Sequence, residues 1–254
     1  MLLTQVKMLL LAFISIGFFL LSLTAYAKKD TYVIGVEQLD YYPEYTYLKG
    51  EYGGYSRAVF DRFSLYSGLQ FIFEPRPVAR LHEEFLTGRF LDFKYPSNPL
   101  WNIKGKTDVM LSYSDAIVRA RDGVMVLPQR KGLGLDQLKR IGAVRSFTLP
   151  QYQQRINEGK LTILSSNDFV SLLDMVLHGR VQGAYTNIRV ARYQLEYVLK
   201  RPGDLVFDPS LPFMEVDYSL ATIHHPKLIK QFNQFLHDER ETLRELRESF
   251  GLKN

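Results

Sequence analysis

The sequence predicts an α/β protein made of two blocks, each a mainly parallel sheet flanked by helices. Three observations carry this. Apolar residues make up 46% of the 254 and charged residues 23%, which is ordinary globular usage and excludes a disordered or fibrous chain. Strand-like and helix-like segments alternate from Tyr32 to Pro96, and again from Gly123 to Leu199. Such alternation marks parallel strands joined by crossover helices.

Taken in order, Tyr32-Val33-Ile34-Gly35-Val36 reads as a buried strand, and Tyr41 to Tyr55 as a Tyr-rich loop broken by Pro43, Gly50, Gly53 and Gly54. Helical spacing predicts a helix over Ser56–Tyr66 that stops at Gly68, then a strand over Leu69–Phe73. Pro77 opens a helix with Leu81, Phe85 and Leu86 inward, and a third strand from Phe90 ends at Pro96. In the second block, strands are expected over Gly123–Leu127, Ile141–Val144, Leu161–Leu164 and Val181–Tyr185. Its helices are expected over Pro150–Ile156, from a cap at Asn167 to His178, and over Ile188–Leu199. Pro226 to Phe250 has helical spacing throughout.

The first 27 residues indicate a compartment. Lys7 precedes an uncharged run from Met8 to Leu23, and Ala25 and Ala27 supply a small-x-small exit. These are the parts of a cleaved secretory signal, with cleavage expected after Ala27, and the run is short of the roughly 20 residues a spanning helix needs. An exported, periplasmic protein is expected. The formal charge of +5 is small and scattered, so export argues against nucleic acid as a partner. There are no cysteines, which excludes disulfides, thiol nucleophiles and a lipidated N-terminal cysteine.

Several short patterns then carry a family resemblance: Tyr42-Pro43-Glu44-Tyr45 after the first strand, Gly54-Tyr55-Ser56 into the first helix, and Gly88 ahead of Asp92. Tyr113-Ser114-Asp115, Gly179 to Tyr185 and Tyr218-Ser219-Leu220-Ala221 continue it. In this order the chain resembles the type II periplasmic solute-binding proteins, the receptors of polar amino acid ABC transporters. The resemblance implies a two-lobed fold with two crossover hinge strands, near Ser114–Val118 and Glu215–Ser219. It places the first lobe at 28–115 and 218–254 and the second at 116–217, with a ligand cleft between them. It also implies a small polar or charged ligand, amino-acid-like or carboxylate-bearing, a monomer without cofactor or metal, and an ABC permease or membrane-bound sensor as partner.

The departures from that pattern concern the ligand. The segment that holds an Arg in amino acid receptors runs from Tyr95 through Trp101 to Lys106 and contains only Lys104 and Lys106 as cations. Asn187 stands where the family has an Asp. A lysine lacks the planar fork that grips a carboxylate bidentately, and Asn carries no charge.

The ligand-binding candidates are the Tyr41-Tyr42 pair, Tyr42 foremost, and Trp101 for stacking, with Tyr95 beside them, Arg80 on the helix begun at Pro77, and Ser114 at the crossover. Arg145 and Thr148 are expected at a strand-to-helix turn, with Thr148 as N-cap and free N–H groups that attract anions, and Asn187 at the family's Asp position. Two alternatives stand beside the receptor: a sensory or interaction module with a degenerate cleft, and a dehydratase of cyclic acids using Glu37 or Asp217 as general acid. Neither His82-Glu83-Glu84-Phe85-Leu86 nor Gly54-Tyr55-Ser56-Arg57-Ala58 completes a zinc-protease or serine-hydrolase motif, so neither chemistry is expected.

Overall fold

The computed structural model describes residues 30–101 and 109–252; the expected signal segment and the pair Lys104 and Lys106 lie outside them. The apolar strand after the leader forms as β1 (Thr31–Glu37), buried from Ile34 onward. It pairs in parallel with β5 (Gln70–Arg76) on one side and β6 (Phe93–Ser97) on the other. The crossovers are α1 (Tyr55–Ser67), which ends on Gly68 at φ 75°, and α2 (Val78–Leu86). A left-handed residue is cheapest as glycine, which explains the stop.

The Tyr-rich segment is not a loop. It folds as a three-stranded antiparallel meander, β2 (Asp40–Tyr41), β3 (Tyr45–Leu48) and β4 (Glu51–Gly53). Tyrosines spaced two apart put Tyr45 on one face and Tyr47 on the same side, the period a strand uses.

The second half of the sheet contains β8 (Val118–Val126), β9 (Arg140–Val144), β10 (Thr162–Ser166) and β11 (Gly183–Asn187), with a short β12 (Val206–Phe207). β9 pairs in parallel with β10 and β11, while β8 runs antiparallel to β11. Its helices are α3 (Gln153–Asn157), α4 (Phe169–Leu177) and α5 (Ile188–Tyr193), the last continued by one π turn over Gln194–Val198. The cap of α4 is Asp168, whose carboxylate accepts from Ser171 N at 2.7 Å, one residue beyond the expected Asn167.

One long strand, β13 (Met214–Thr222), belongs to both halves. Its first part pairs with β8 from Met214↔Asp122 to Tyr218↔Val118, and its last part with β6 and the two-residue β7 (Ser112–Tyr113). The sheet therefore reads β10-β9-β11-β8-β13-β6-β1-β5. Among the described residues, the chain crosses between halves beside β7–β8 and along β13. The tail splits into α6 (Pro226–Asp238) and α7 (Arg240–Ser249), which pack back on the first half. There Phe60 and Phe63 of α1 meet Phe232 and Phe235 of α6 at ring distances of 4.9–5.9 Å. Fully burying each such ring is worth about 1.5–3 kcal/mol.

Candidate functional site

Between the two halves of the sheet lies a cavity of about 240 Å³. The first half supplies Glu37 at the end of β1, Tyr41 and Tyr45 from the meander, and Trp101 after β6. Val78, Ala79, His82 and Glu83 of α2 also line it, recurring four apart on one helical face. The second half supplies Asp122 of β8, Tyr185 of β11 and the turn Ser146-Phe147-Thr148 after β9. Tyr218, on the shared strand β13, joins the two sets.

Strand alternation decides which side chains face in. On β8, Arg119 and Arg121 are exposed, while Ala120 and Asp122 point the other way. On β13, Glu215 and Asp217 face out and pair across the ladder with Arg121 at 2.7 Å and Arg119 at 3.6 Å, while Val216 and Tyr218 face in. Asp217, one of the two carboxylates offered for general acid catalysis, is therefore on the outer face, and Glu37, the other, is in the cavity wall.

The polar atoms of the cavity form two short chains. The Tyr41 and Tyr218 hydroxyls are 2.8 Å apart, and Tyr218 donates to Asp122 Oδ1 at 3.4 Å. Tyr45 donates to Glu37 Oε2. Burial pushes the Asp122 carboxyl up to about 7, opposed by the Tyr218 hydroxyl and the Arg189 charge. Burial likewise raises Glu37, opposed by Lys94 and by the Tyr45 hydroxyl. Lys94 itself is buried and donates to the Pro96 carbonyl at 2.5 Å, its ammonium 5.4 Å from the Trp101 ring centre. Burial holds the Tyr41, Tyr45 and Tyr218 hydroxyls well above their ordinary value, so they stay protonated donors at neutral pH.

Of the residues expected at the site, Tyr41, Trp101 and Thr148 line the cavity. The other six lie elsewhere. Tyr42 follows Tyr41 and points oppositely, its ring 4.5 Å from Tyr193 and 6.3 Å from Phe250. Arg80 sits off the inward face of α2, its side chain 66% exposed and paired with Glu84. Tyr95 is fully buried beneath Tyr45 and accepts from Ser56 Oγ at 2.6 Å. Ser114 ties the crossover together, its Oγ donating to the Asp115 carbonyl and accepting from Leu220 N at 2.9 Å, in a groove on the outer face with Arg119 and Arg121. Arg145 lies in a separate polar depression with Ser166, Asp168 and Arg180. Asn187 is buried as the N-cap of α5, its Oδ1 accepting from Arg189 N at 2.9 Å and Val190 N at 3.2 Å.

The turn after β9 corrects a further expectation. Ser146 takes φ 70°, and the residue before the three-residue 3-10 turn at Pro150 is Leu149, without a side-chain cap. Thr148 therefore caps no helix, and the five-residue α3 offers no extended row of free N–H groups.

Tyr41, offered with Tyr42 for stacking, lines the cavity, as do Ser146 and Phe147 of the turn read with Thr148; the residues that sequence reading did not place here include Tyr45, His82, Glu83, Asp122, Tyr185 and Tyr218. For Asp122 a signal existed: a carboxylate at an inward position of an otherwise apolar alternation. Among the described residues no cluster of three or more His, Asp or Glu side chains could hold a metal ion.

This architecture has many counterparts among solved structures. A double mutant of the BvgS VFT2 domain of Bordetella pertussis superposes with a TM-score of 0.67 at 19% identity, covering 87% of this chain and 92% of that one. ArtJ of Geobacillus stearothermophilus, an arginine-, lysine-, histidine-binding protein, gives 0.67 at 16% identity over 89% and 96%. An ancestral amino acid-binding protein, a precursor of cyclohexadienyl dehydratase, gives 0.65 at 18% identity over 87% and 95%. The chain has the type II periplasmic binding-protein fold. No protein-family model and no curated protein matches it. Within this fold the cavity described above lies between the two halves of the sheet.

Proposed function

We propose that the protein is an exported solute receptor that encloses one small polar molecule in the cleft between its lobes and presents it to an ABC permease or a membrane-bound sensor. The observation that carries this reading is the composition of the cavity. Both halves of the sheet contribute to one small aromatic wall set with a few convergent polar groups, as ligand sites do. No helix among the described residues is long and apolar enough to cross a membrane, in keeping with a receptor that works outside one. The lobe limits expected from sequence, 28–115 with 218–254 and 116–217, are part of the proposal.

A second reading, an acid–base enzyme on the same scaffold, is favoured by one feature. Asp122, poised near neutrality, shares the cavity with Glu37, so a proton donor and an acceptor line one cavity from opposite halves. The test is a thermal-shift screen of the purified protein against amino acids, amines, small carboxylates, short peptides and neutral solutes. A ligand at 100 times its dissociation constant stabilises the fold by about 2.7 kcal/mol, several degrees of melting temperature. Trp101→Ala is expected to abolish the shift and Arg80→Ala to leave it intact. Conversion of a hit to product, instead of saturable binding alone, would replace the receptor by the enzyme. No shift with any solute, from a protein that melts cooperatively, would leave an interaction module with a degenerate cleft.

A further inference from the structure

From the charges around the cavity we infer that the ligand is a small organic cation, an amine or guanidine carrying an apolar body and no carboxylate. This rests on the cleft being a solute site. Among the described residues its lining holds three carboxylates, Glu37, Glu83 and Asp122, and one side chain able to become cationic, His82. Among the described residues, the buried ammonium of Lys94 is engaged by the Pro96 carbonyl and lies beside Glu37, whose charge it offsets. Asp122 has no such counter-ion at contact distance among the described residues. Its hydrogen bond is the 3.4 Å one from Tyr218, and the Arg189 guanidinium is bound to Glu44 and to the Arg119 carbonyl.

An anionic ligand group in this cavity would meet the Asp122 carboxylate, with Glu83 on the exposed side of the lining, whereas a cation completes the Asp122 carboxylate. The rest of the wall suits a cation as well. Tyr41, Tyr218, Trp101 and Phe147 line it from both halves, and ammonium or guanidinium groups are attracted to aromatic faces within about 6 Å. The volume of about 240 Å³ falls below the roughly 300–1,000 Å³ of drug-sized sites, which limits the ligand to a small molecule.

The experiment is isothermal titration of the purified protein at pH 8 with three matched pairs, each an amine and its carboxylated parent: agmatine and arginine, putrescine and ornithine, phenethylamine and phenylalanine. Succinate and glucose serve as the anionic and neutral members. At least one amine is expected to bind at least ~10-fold more tightly than its parent, because the parent brings an unpaired carboxylate into the site. Asp122→Asn, which keeps shape and removes charge, is expected to weaken that amine by a similar factor, and Trp101→Ala at the rim to weaken it with Asp122 intact. Amino acids or succinate binding as tightly as the amines, or more tightly, would overturn the cation inference and leave the receptor standing. If no solute of any charge binds a protein that melts cooperatively, the inference and the receptor reading fall together.

Discussion

In the proposed site, Asp122 joins stability to binding within a single side chain. Its carboxyl faces the hydroxyls of Tyr218 on β13, with Tyr41 and Glu37 across the cavity, Tyr185 on β11, and the Glu44–Arg189 pair beyond. Burial raises it from an ordinary 3.8 to about 7. A carboxyl raised in the folded state favours folding while it is protonated, and that contribution is lost as pH rises from the unfolded value to the folded one. The loss is up to about 1.4 kcal/mol per pH unit between roughly 4 and 7. Asp122→Asn should therefore match the wild type in melting temperature near pH 4 and exceed it at pH 8, the gap opening between pH 4 and 7 and levelling off above. Equal melting temperatures at both pH values would show that the carboxyl titrates normally. The same substitution is expected to cost cation affinity, so the residue destabilises the empty protein in exchange for a site.

Asn187 shows the same division of labour at the level of an element. Read from sequence it occupies a ligand position; in the structure its side chain accepts from the N–H groups of Arg189 and Val190 and starts α5. Asn187→Ala should cost about 1–2 kcal/mol in chemical denaturation, and Asn187→Ser should recover part of it, since serine also caps. An alanine variant as stable as wild type would remove the cap from this account. Elements of this kind were legible where punctuation was strong: Gly68 ends α1, and Pro77 precedes α2. They were misread where tertiary pairing overrides local signals. Pro43 and the glycines of 50–54 read as loop, yet β2–β4 pair there. Pro96 read as a strand end, yet β6 runs to Ser97 because its pairing with β1 ends at Tyr95 and the ladder with β13 is irregular between Ser219 and Ala221, so the missing N–H is tolerated. The break between α6 and α7 at Glu239 has no Gly or Pro to announce it. The site was less legible than the fold, because a lining is set by which of two neighbours points inward. Tyr41 and not Tyr42, and Ala79 and His82 and not Arg80, follow from strand phase and helix phase, which depend on packing partners far away in sequence.

Across the whole molecule, the two halves are fastened on one side of the cavity by contacts between the meander and α5. Glu44, between β2 and β3, is wholly buried and accepts from Arg189 Nε and Nη2 at 2.9 and 2.6 Å; Gln194 Nε2 reaches Asp40 at 3.1 Å; Tyr42 packs on Tyr193. Burial raises the Glu44 carboxyl and the Arg189 charge opposes it, so the carboxylate depends on a partner from the other half. Removing only the partner strands a buried charge, which typically costs about 3–5 kcal/mol, whereas replacing both members by neutral groups is often close to neutral. Arg189→Ala is accordingly expected to lose stability strongly at pH 8 and less at pH 5, where protonation of Glu44 relieves the stranded charge. Glu44→Gln with Arg189→Gln should recover most of the loss. Small-angle scattering should then separate fastening from simple stability. If this pair holds the halves together, the folded Arg189→Ala protein has a larger radius of gyration than the wild type, and a saturating ligand brings it back. An unchanged radius in a destabilised variant would make the pair a packing contact and leave closure of the cleft to the ligand alone.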